Sequence, residues 1–392
     1  MLDLTNVLAG PFCAYQFALL GADVIKVEVP ESGDLARQLG ADADLNGRLM
    51  GASFLAQNGG KRSVTVNLKM PEGKAVLRRL VSSADVLIEN FRPGVLARLG
   101  LAYEDLRTSN PSLVYCAITG FGQQGPLRDA PAYDQIIQGV SGMMSITGDA
   151  KSAPLRVGYP VADTISGVTA AFAIVSALLR RRTTGEGAFI DVSMLDSALV
   201  TMGWVISNYL IAGVEPRPHG NDNFTAAPSG TFRTRDGLLN IAANKQEQFE
   251  ALVKVLGSEA LASDARFAQR ESRKKNRAAL TDALETALSA RTAAEWEPLL
   301  NAVGVPAGRV LTVPAALAGP QVAARELLQT FERVDGVDGR PITVARAGFR
   351  MTGGDPAAAT PPPTLGAHTA EVLSDLGYTE AELQTLRDLG AI

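Results

Sequence analysis

Apolar and polar residues follow two alternating patterns along the first half of the chain. Short β-branched stretches bounded by turn residues predict strands at 24–28, 63–67, 85–90 and 113–119. Helical patterns of apolar residues lie between them, at 11–20, 72–82, 93–99 and 103–110. Strands in alternation with helices are typical of a parallel sheet with helices on both faces, and such sheets bind ligands beyond the carboxyl ends of their strands. The pattern therefore predicts an α/β fold.

Two long apolar helices open the second half of the chain. The pattern predicts the first helix at 163–182, where it ends in the basic segment RRRTTGEG, and the second at 195–212. A strand at 189–195 lies between them. These elements extend the α/β pattern of the first half.

The character of the chain changes from about residue 216. A hairpin with Asp236 and Gly237 at its turn comes first. Charged amphipathic helices follow at 246–256, 276–290 and 293–303. We interpret this segment as a smaller, separate domain. A connector rich in proline and glycine at 353–366 then leads to two last helices, at 368–376 and 379–389.

Composition limits the possible partners. The chain has 392 residues, 46% of them hydrophobic, so it can bury a large core in two or three domains. It has 37 basic and 41 acidic residues, for a net charge of −4. Nucleic acids and anionic membranes require a clustered basic surplus, so we expect neither as a partner. The N-terminus lacks the basic start of a signal peptide, and we expect a soluble protein.

Cysteine and histidine are scarce. The two cysteines, Cys13 and Cys116, form no disulfide framework, which favours a reducing cytoplasm, and both have the apolar neighbours of buried side chains. The two histidines, His219 and His368, lie among proline, glycine and asparagine. Together these residues have no metal-ligand spacing, and a Ser-His-Asp relay is disfavoured. We expect no bound metal.

The opening strand, loop, helix and strand are similar to a dinucleotide-binding unit, with Glu28 closing the second strand. The loop reads VLAGPF and has one glycine where the fingerprint G-x-G-x-x-G needs three. Without the other two glycines, the backbone approaches a pyrophosphate poorly. A nicotinamide cofactor is therefore disfavoured.

Asp163 is the one carboxylate at the start of a long apolar helix. One interpretation is an N-cap, in which the side chain accepts a backbone N–H near Ser166. The other is chemical: a carboxylate among unpaired N–H groups can attack a carbonyl, and these groups can stabilise the oxyanion. The preceding segment GYPVAD leaves room for a ligand. The two roles are compatible, and the pattern leaves both open.

Eight blocks in fixed order span nearly the whole chain: LDLTNVLAGPF (2–12), LGADVIKVE (20–28), SGDLAR (32–37), GKRSVTVNLK (60–69), ADVLIENFRPG (84–94), ITGFGQQGP (118–126), YDQIIQGVSGMMSITG (133–148) and VADTISGVTAA (161–171). With these blocks the chain resembles the class III coenzyme A transferases, also called the CaiB/BaiF family. That family includes formyl-CoA:oxalate and carnitine CoA-transferases and the 2-methylacyl-CoA racemases. The resemblance implies that acyl-CoA and a small carboxylic acid are the substrates.

The same resemblance implies roles for individual residues. Asp163 matches the aspartate that acts as nucleophile. Arg98 matches an arginine that meets the coenzyme A phosphates, which suits the charge of its guanidinium group. The positions that match other residues lining the coenzyme A site are Ala9, Leu68, Lys69, Asn90, Phe91 and Tyr133.

The chain departs from its relatives at some of these positions. Many relatives have an arginine that holds the adenine end where this chain has Val29. Leu8 replaces the glutamine of the formyl-CoA:oxalate members, and their glycine-rich gating loop has no counterpart in NIAANKQEQF (240–249), which disfavours oxalate. Tyr133 stands where racemases have their histidine, and a phenol with a pKa of about 10 is a poor base at neutral pH. Racemisation is therefore disfavoured.

The resemblance further implies an interlocked homodimer of ring-like chains. Each chain has a large Rossmann-like parallel-sheet domain built from both chain ends, here 1–215 and 328–392, and a small α+β domain, here 216–327. The whole-length pattern is similar to members that move coenzyme A from succinyl-CoA to a dicarboxylic acid. Asp163 would form a mixed anhydride and then an aspartyl-CoA thioester, without ATP or metal. A coenzyme A-dependent racemase or isomerase and a non-catalytic acyl-CoA binder stay open as alternatives.

Overall fold

A computed structural model describes residues 1–392, which divide into two compact units. Unit 1 contains 1–143, 156–214 and 323–392, and unit 2 contains 144–155 and 215–322. Residues 144–155 therefore belong with the central unit, whereas the sequence analysis placed them in the large domain. The domain assignment otherwise stays a prediction.

The largest sheet lies in unit 1 and has six parallel strands in the order β3-β2-β1-β4-β5-β6. Their bounds are β1 Leu2–Asp3, β2 Val24–Glu28, β3 Lys61–Thr65, β4 Val86–Glu89, β5 Val114–Thr119 and β6 Ala188–Ser193. The α/β fold with a parallel sheet predicted from the sequence is confirmed. The strand order reverses between β1 and β4, and the crevice at such a reversal is where open α/β sheets bind ligands.

Most of the remaining structure is helical. The helices are α1 Ala9–Leu19, α2 Ala43–Gly47, α3 Ala52–Leu55, α4 Pro71–Ser82, α5 Val95–Arg98, α6 Tyr103–Leu106, α7 Asp134–Val140, α8 Val161–Thr184, α9 Met194–Thr201, α10 Gly203–Ala212, α11 Gln246–Val255, α12 Ala260–Ser263, α13 Arg270–Lys275, α14 Arg277–Leu288, α15 Ala293–Ala302, α16 Val313–Leu317, α17 Pro320–Ala324, α18 Thr369–Asp375 and α19 Glu380–Asp388. Two short 3₁₀ turns lie at Leu35–Gln38 and Met143–Ile146.

Five further strands form two small antiparallel sheets. β7 Ser229–Arg233, β8 Leu238–Ala242 and β9 Ala307–Arg309 make a three-stranded sheet in unit 2. The β7–β8 connection contains Asp236 and Gly237, as predicted. β10 Leu328–Phe331 and β11 Ile342–Ala345 pair with each other in unit 1.

Both faces of the six-stranded sheet are buried, because each strand alternates its side chains between two cores. On β5, Tyr115 and Ala117 face the core that contains α4, α18 and α19. Val114 and Cys116 face the core that contains α1 and α8, and Cys13 lies in the same core. Burial raises the pKa of both thiols far above their usual value. As expected, the cysteines are buried apolar side chains.

The prediction of one helix at 195–212 was wrong. That segment is two helices, α9 and α10, which meet at Met202 with a bend of 75°. The predicted helix at 163–182 is confirmed as α8, which begins two residues earlier, at Val161, because Pro160 fixes the preceding backbone. Asp163 is therefore the third residue of α8.

Helix α8 has the length and hydropathy of a membrane span, with a mean hydropathy of 1.7. The core helix of a soluble protein passes the same test, and α8 packs tightly on α1. A Cβ atom at Gly167 would lie 2.6 Å from the Ala9 carbonyl oxygen, so only glycine allows this approach. The close contact brings the first turns of α8 to the loop that follows β1.

Candidate active site

Asp163 does not cap its own helix, so the N-cap prediction was wrong. The start of α8 has no cap from its own first residues. The cap comes from Asp134, the first residue of α7, whose Oδ1 accepts the backbone N–H of Ala162 at 2.8 Å and of Asp163 at 3.4 Å. A side chain from another helix thus satisfies the N–H groups that a helix start leaves unpaired.

The Asp163 carboxylate itself accepts no hydrogen bond from the chain, and it is half-buried. Burial, with a smaller contribution from the nearby charge of Asp134, raises the pKa of Asp163 to about 7. A carboxylate that has lost much of its solvation and has no donor is more reactive toward a carbonyl carbon than one in water. The environment of Asp163 therefore suits a nucleophile.

Asp134 is held in place from two sides. Gln138 Nε2 donates to its Oδ2 at 2.7 Å, and Arg156 Nη2 lies 3.8 Å from the same atom. Sequence reasoning considered this block as the site of a racemase pair and of a coenzyme A contact at Tyr133, and it missed the capping role of Asp134. The one available signal was an aspartate at the first position of α7.

A cavity of about 360 Å³ opens beside Asp163 at the carboxyl edge of the sheet. Its walls come from the end of β5 and from the segments that follow β1, β2, β4, β5 and β6. The lining residues are Asn6, Val7, Leu8, Ala9, Leu35, Asn90, Phe91, Arg92, Pro93, Ile118, Thr119, Gly120, Arg128, Ala130, Pro131, Ala132, Tyr133, Asp163 and Met194. The wall is mostly apolar around one carboxylate, which is typical of small-molecule sites.

The cavity brings together five of the eight site residues expected from the sequence: Ala9, Asn90, Phe91, Tyr133 and Asp163. The other three, Leu68, Lys69 and Arg98, do not line it. Leu68 packs on the α4 core, and the Lys69 side chain is exposed. Arg98 lies near the edge of the cavity, because its Nη1 is 3.3 Å from the position of a Cβ atom at Gly94, the residue after Pro93.

Asn90 and Phe91 are fixed by local hydrogen bonds. The Asn90 amide accepts the Asn6 N–H at 2.9 Å and donates to the Asn6 carbonyl at 2.8 Å, which joins the β1 and β4 loops. The Phe91 N–H donates to Glu89 Oε2 at 2.7 Å. Burial raises the pKa of Glu89 to about 8. The Phe91 ring is half-buried beside the cavity and offers a flat apolar surface.

Two arginines in the lining, Arg92 and Arg128, were missed by the sequence analysis. Neither of them, nor Arg98, has a carboxylate within ion-pair distance. Arg128 Nη2 lies 3.8 Å from the same Gly94 Cβ position that Arg98 Nη1 approaches. Two guanidinium groups thus converge without an anion of this chain between them. No sequence signal distinguished Arg128 from other exposed arginines.

No imidazole lines the cavity. His368 Nδ1 accepts the Ser63 N–H at 3.2 Å, and the His219 ring stacks on Phe224. Tyr133, which the sequence analysis matched to the racemase histidine, is 69% exposed. No group of three or more His, Cys, Asp or Glu side chains in residues 1–392 could hold a metal ion.

The model of CoA-transferase family III matches residues 1–369. The chain belongs to CoA-transferase family III. This CoA-transferase is 40% identical to the succinate–glutarate CoA-transferase of Agrobacterium fabrum, over 97% of this chain and 95% of that one. It is 42% identical to the acetyl-CoA:oxalate CoA-transferase of Acetobacter aceti, over 84% of each chain.

Among solved structures, this CoA-transferase is similar to a CaiB/BaiF family protein from Brucella suis. The TM-score is 0.83 at 37% identity, over 96% of this chain and 97% of that one. The resemblance found in the sequence is thereby confirmed. Acyl-CoA is a substrate of enzymes of this family, and a free carboxylic acid is the acceptor.

Proposed function

We propose that this CoA-transferase moves coenzyme A from succinyl-CoA to a dicarboxylic acid. The Agrobacterium fabrum relative, which matches it over nearly its full length, is named for succinate and glutarate, and the Acetobacter aceti relative is named for oxalate, also a dicarboxylate. We choose succinate rather than acetate as the acyl group of the donor because the Agrobacterium fabrum relative matches a longer part of this chain. The observation that carries the proposal is the Asp163 carboxylate, half-buried and without a donor, in the wall of an apolar cavity.

The proposed reaction has four balanced steps. An Asp163 oxygen attacks the thioester carbonyl of the donor, the C–S bond breaks, and a mixed anhydride and a coenzyme A thiolate result. The thiolate attacks the aspartyl carbonyl, which releases succinate and leaves an aspartyl-CoA thioester. The acceptor carboxylate attacks the carbonyl carbon of this thioester, and the C–S bond breaks to give a second anhydride and the thiolate. The thiolate then attacks the acceptor acyl carbon. The product acyl-CoA leaves, and Asp163 is regenerated.

The walls of the cavity suit this chemistry. A mixed anhydride reacts readily with water, so the site must exclude water while the anhydride exists. Leu8, Phe91, Ile118 and Met194 place apolar side chains around Asp163. Thioester is exchanged for thioester, so the cycle needs no nucleotide triphosphate.

The coenzyme A contacts are part of the same proposal. Ala9, Asn90, Phe91 and Tyr133 line the cavity and would contact the pantetheine and adenine portions, whereas Arg98 would meet a phosphate at its edge. We add Arg128, because it approaches the same point as Arg98 and also has no acidic partner. Leu68 and Lys69 lie outside the cavity, after β3. They can contact coenzyme A only if the bound molecule extends beyond the cavity to that segment.

We further propose a homodimer, which the family resemblance also implies in an interlocked form. Helices α8, α9 and α10 expose large apolar side chains. Their exposed fractions are 75% for Phe172, 77% for Val200 and 86% for Ile211. Exposed apolar surface of this extent marks association sites in soluble proteins. The cytoplasm stays the predicted compartment.

The test is a panel of acyl-CoA donors and free acids, with exchange followed by chromatography. We expect succinyl-CoA with glutarate to react and Asp163→Asn, which keeps the side-chain shape, to lose at least about 1,000-fold in kcat. Mass spectrometry of the enzyme stopped with donor alone should find a coenzyme A adduct on the peptide that contains Asp163. Oxalate belongs in the panel as the acceptor of the Acetobacter aceti relative.

Three results would contradict the proposal. Retained exchange in Asp163→Asn would remove the nucleophile from the mechanism. Exchange of the α-proton in deuterated water without exchange of acids would favour a racemase. Binding of acyl-CoA with no reaction on any acid would favour a non-catalytic binder.

A further inference from the structure

The turn between β1 and α1 has a strained backbone. Val7 has a φ of +70°, in the left-handed region. A β-branched residue is a rare outlier there, because its Cβ atom crowds the following carbonyl oxygen. Such a conformation persists only where the surrounding structure imposes it, and these sites are concentrated at active sites.

Side chains from three other segments impose this conformation. The Val7 N–H donates to Asp34 Oδ1 at 2.9 Å, and Gln57 Nε2 donates to the Val7 carbonyl at 2.7 Å. The neighbouring Asn6 has both backbone groups bound by Asn90. The peptide groups of the turn thus have side chains as partners, so their geometry depends on those side chains.

Asp34 is in turn fixed by a fully buried lysine. Lys26 Nζ lies 2.9 Å from Asp34 Oδ2 and donates to the Thr5 carbonyl at 2.8 Å, just before the turn. Both side chains of the pair are completely buried. A buried ion pair contributes little net stability after desolvation, but its geometry is specific. The pair therefore acts mainly by fixing the position of the turn.

The strained turn forms part of the wall of the active-site cavity. Asn6, Val7, Leu8 and Ala9 all line the cavity that holds Asp163. Relaxation of Val7 to a negative φ would redirect the backbone at Leu8 and Ala9, which follow it. The distance of this wall from Asp163 would then change.

We propose that Asp34 is a positioning residue for the transfer reaction. Supported by Lys26 and assisted by Gln57, it keeps Val7 in the left-handed conformation and so keeps Leu8 and Ala9 in place beside Asp163. Asp34 acts through the backbone and has no contact with the reacting atoms. The inference rests on the proposed function, because its consequence is measured as CoA transfer.

The test compares Asp34→Asn in two backgrounds, the natural chain and the Val7→Gly variant. The asparagine amide has one acceptor oxygen, so it cannot accept from both the Val7 N–H and Lys26 Nζ. In the natural chain, we expect kcat to fall about 10- to 100-fold with the KM for acyl-CoA changed less than about threefold, because small displacements near reacting atoms lower the rate steeply. Glycine adopts a φ of +70° without strain. In the Val7→Gly background, Asp34→Asn should therefore lower kcat less than about threefold.

Glu285→Gln is the matched control. Like Asp34, Glu285 accepts a backbone N–H, from Arg233 at 2.9 Å, and pairs with a cationic side chain, Arg233 at 3.0 Å, but it forms no hydrogen bond with the turn or with Asp34. Its substitution should change kcat by the same factor in both backgrounds. If Asp34→Asn fails to fold, as judged by its thermal midpoint, Gln57→Leu takes its place, because it releases the Val7 carbonyl without leaving a buried charge unpaired.

Equal losses from Asp34→Asn in both backgrounds would overturn the inference, as would an effect on KM alone. Failure of the natural chain to transfer coenzyme A from any donor would refute the proposed function, and the inference with it. An active natural chain with equal losses in both backgrounds would refute only the inference.

Discussion

The carboxylate of Asp134 caps the helix that carries Asp163 and lies close enough to raise the pKa of Asp163. The two residues are 29 positions apart and lie on different helices, and the Asp163 N–H donates to Asp134 Oδ1 at 3.4 Å. One carboxylate therefore orients the other and also disfavours its charge. This relationship gives the pH dependence of the enzyme a specific origin.

We expect kcat to rise with pH through about 7. The proposed attack by Asp163 requires its ionised form, and its pKa is about 7. Asp134→Asn keeps an oxygen that can accept the N–H groups of α8 but removes the negative charge. The rising limb of the pH–rate profile should therefore move to lower pH. An unchanged limb, or one moved to higher pH, would show that Asp134 does not act on Asp163 through its charge.

Asp163 should also lower the stability of the enzyme at neutral pH. Its pKa is 3.8 unperturbed and about 7 in the folded chain, so the folded state binds the proton more tightly. That contribution to stability is complete below about pH 4 and is lost as the pH rises through about 7. Asp163→Asn should therefore be more stable than the natural chain by roughly 2 kcal/mol at pH 8, with the difference vanishing near pH 4.

Denaturant titrations of both proteins at several pH values test this expectation. Asp129→Asn, at an exposed position outside the cavity, is the control and should leave the pH dependence of stability unchanged. A stability difference between Asp163→Asn and the natural chain that stays constant between acidic and mildly alkaline pH would contradict it.

Arg128→Gln should weaken the binding of the acyl-CoA donor and leave the binding of the acceptor acid unchanged. Loss of one charge-assisted hydrogen bond to a phosphate should raise the KM for succinyl-CoA about tenfold. The KM for the acid should not change. With a succinyl-pantetheine thioester, which has no nucleotide phosphates, Arg128→Gln and the natural chain should behave alike.

Arg107→Gln is the control for this comparison, since Arg107 is an exposed arginine paired with Glu104 at 3.2 Å. Equal loss with both thioesters would mean that Arg128 acts on the cavity itself.

A charge on the exposed apolar face should prevent dimer formation. Phe172→Asp places a carboxylate in the face formed by α8, α9 and α10, and burying it in an interface is unfavourable. Light scattering should then give half the mass of the natural protein. Leu389→Asp, at an exposed apolar position beyond α19, should leave the mass unchanged. A monomeric natural protein would refute the dimer.

Periodicity was enough to predict the parallel strands, because their buried β-branched stretches carry the signal locally. It failed at Met202, where α9 and α10 meet. The segment is apolar on both sides of the bend, so its pattern has no break that marks the change of direction. Local pattern also misidentified the cap of α8. Asp163 had the pattern of an N-cap, but the side chain that caps α8 is Asp134 of α7.

The sequence by itself determined the α/β fold, the family and the identity of the expected nucleophile, because each depends on local pattern or on ordered blocks of residues. Only the tertiary structure decided which groups surround that nucleophile. Asp134 reaches α8 from α7, Asp34 and Gln57 hold Val7 from segments 27 and 50 residues away, and Arg128 meets Arg98 over Gly94. These contacts join residues that are distant in the chain, and hydrogen bonding and charge at such distances leave no periodic signal in the sequence.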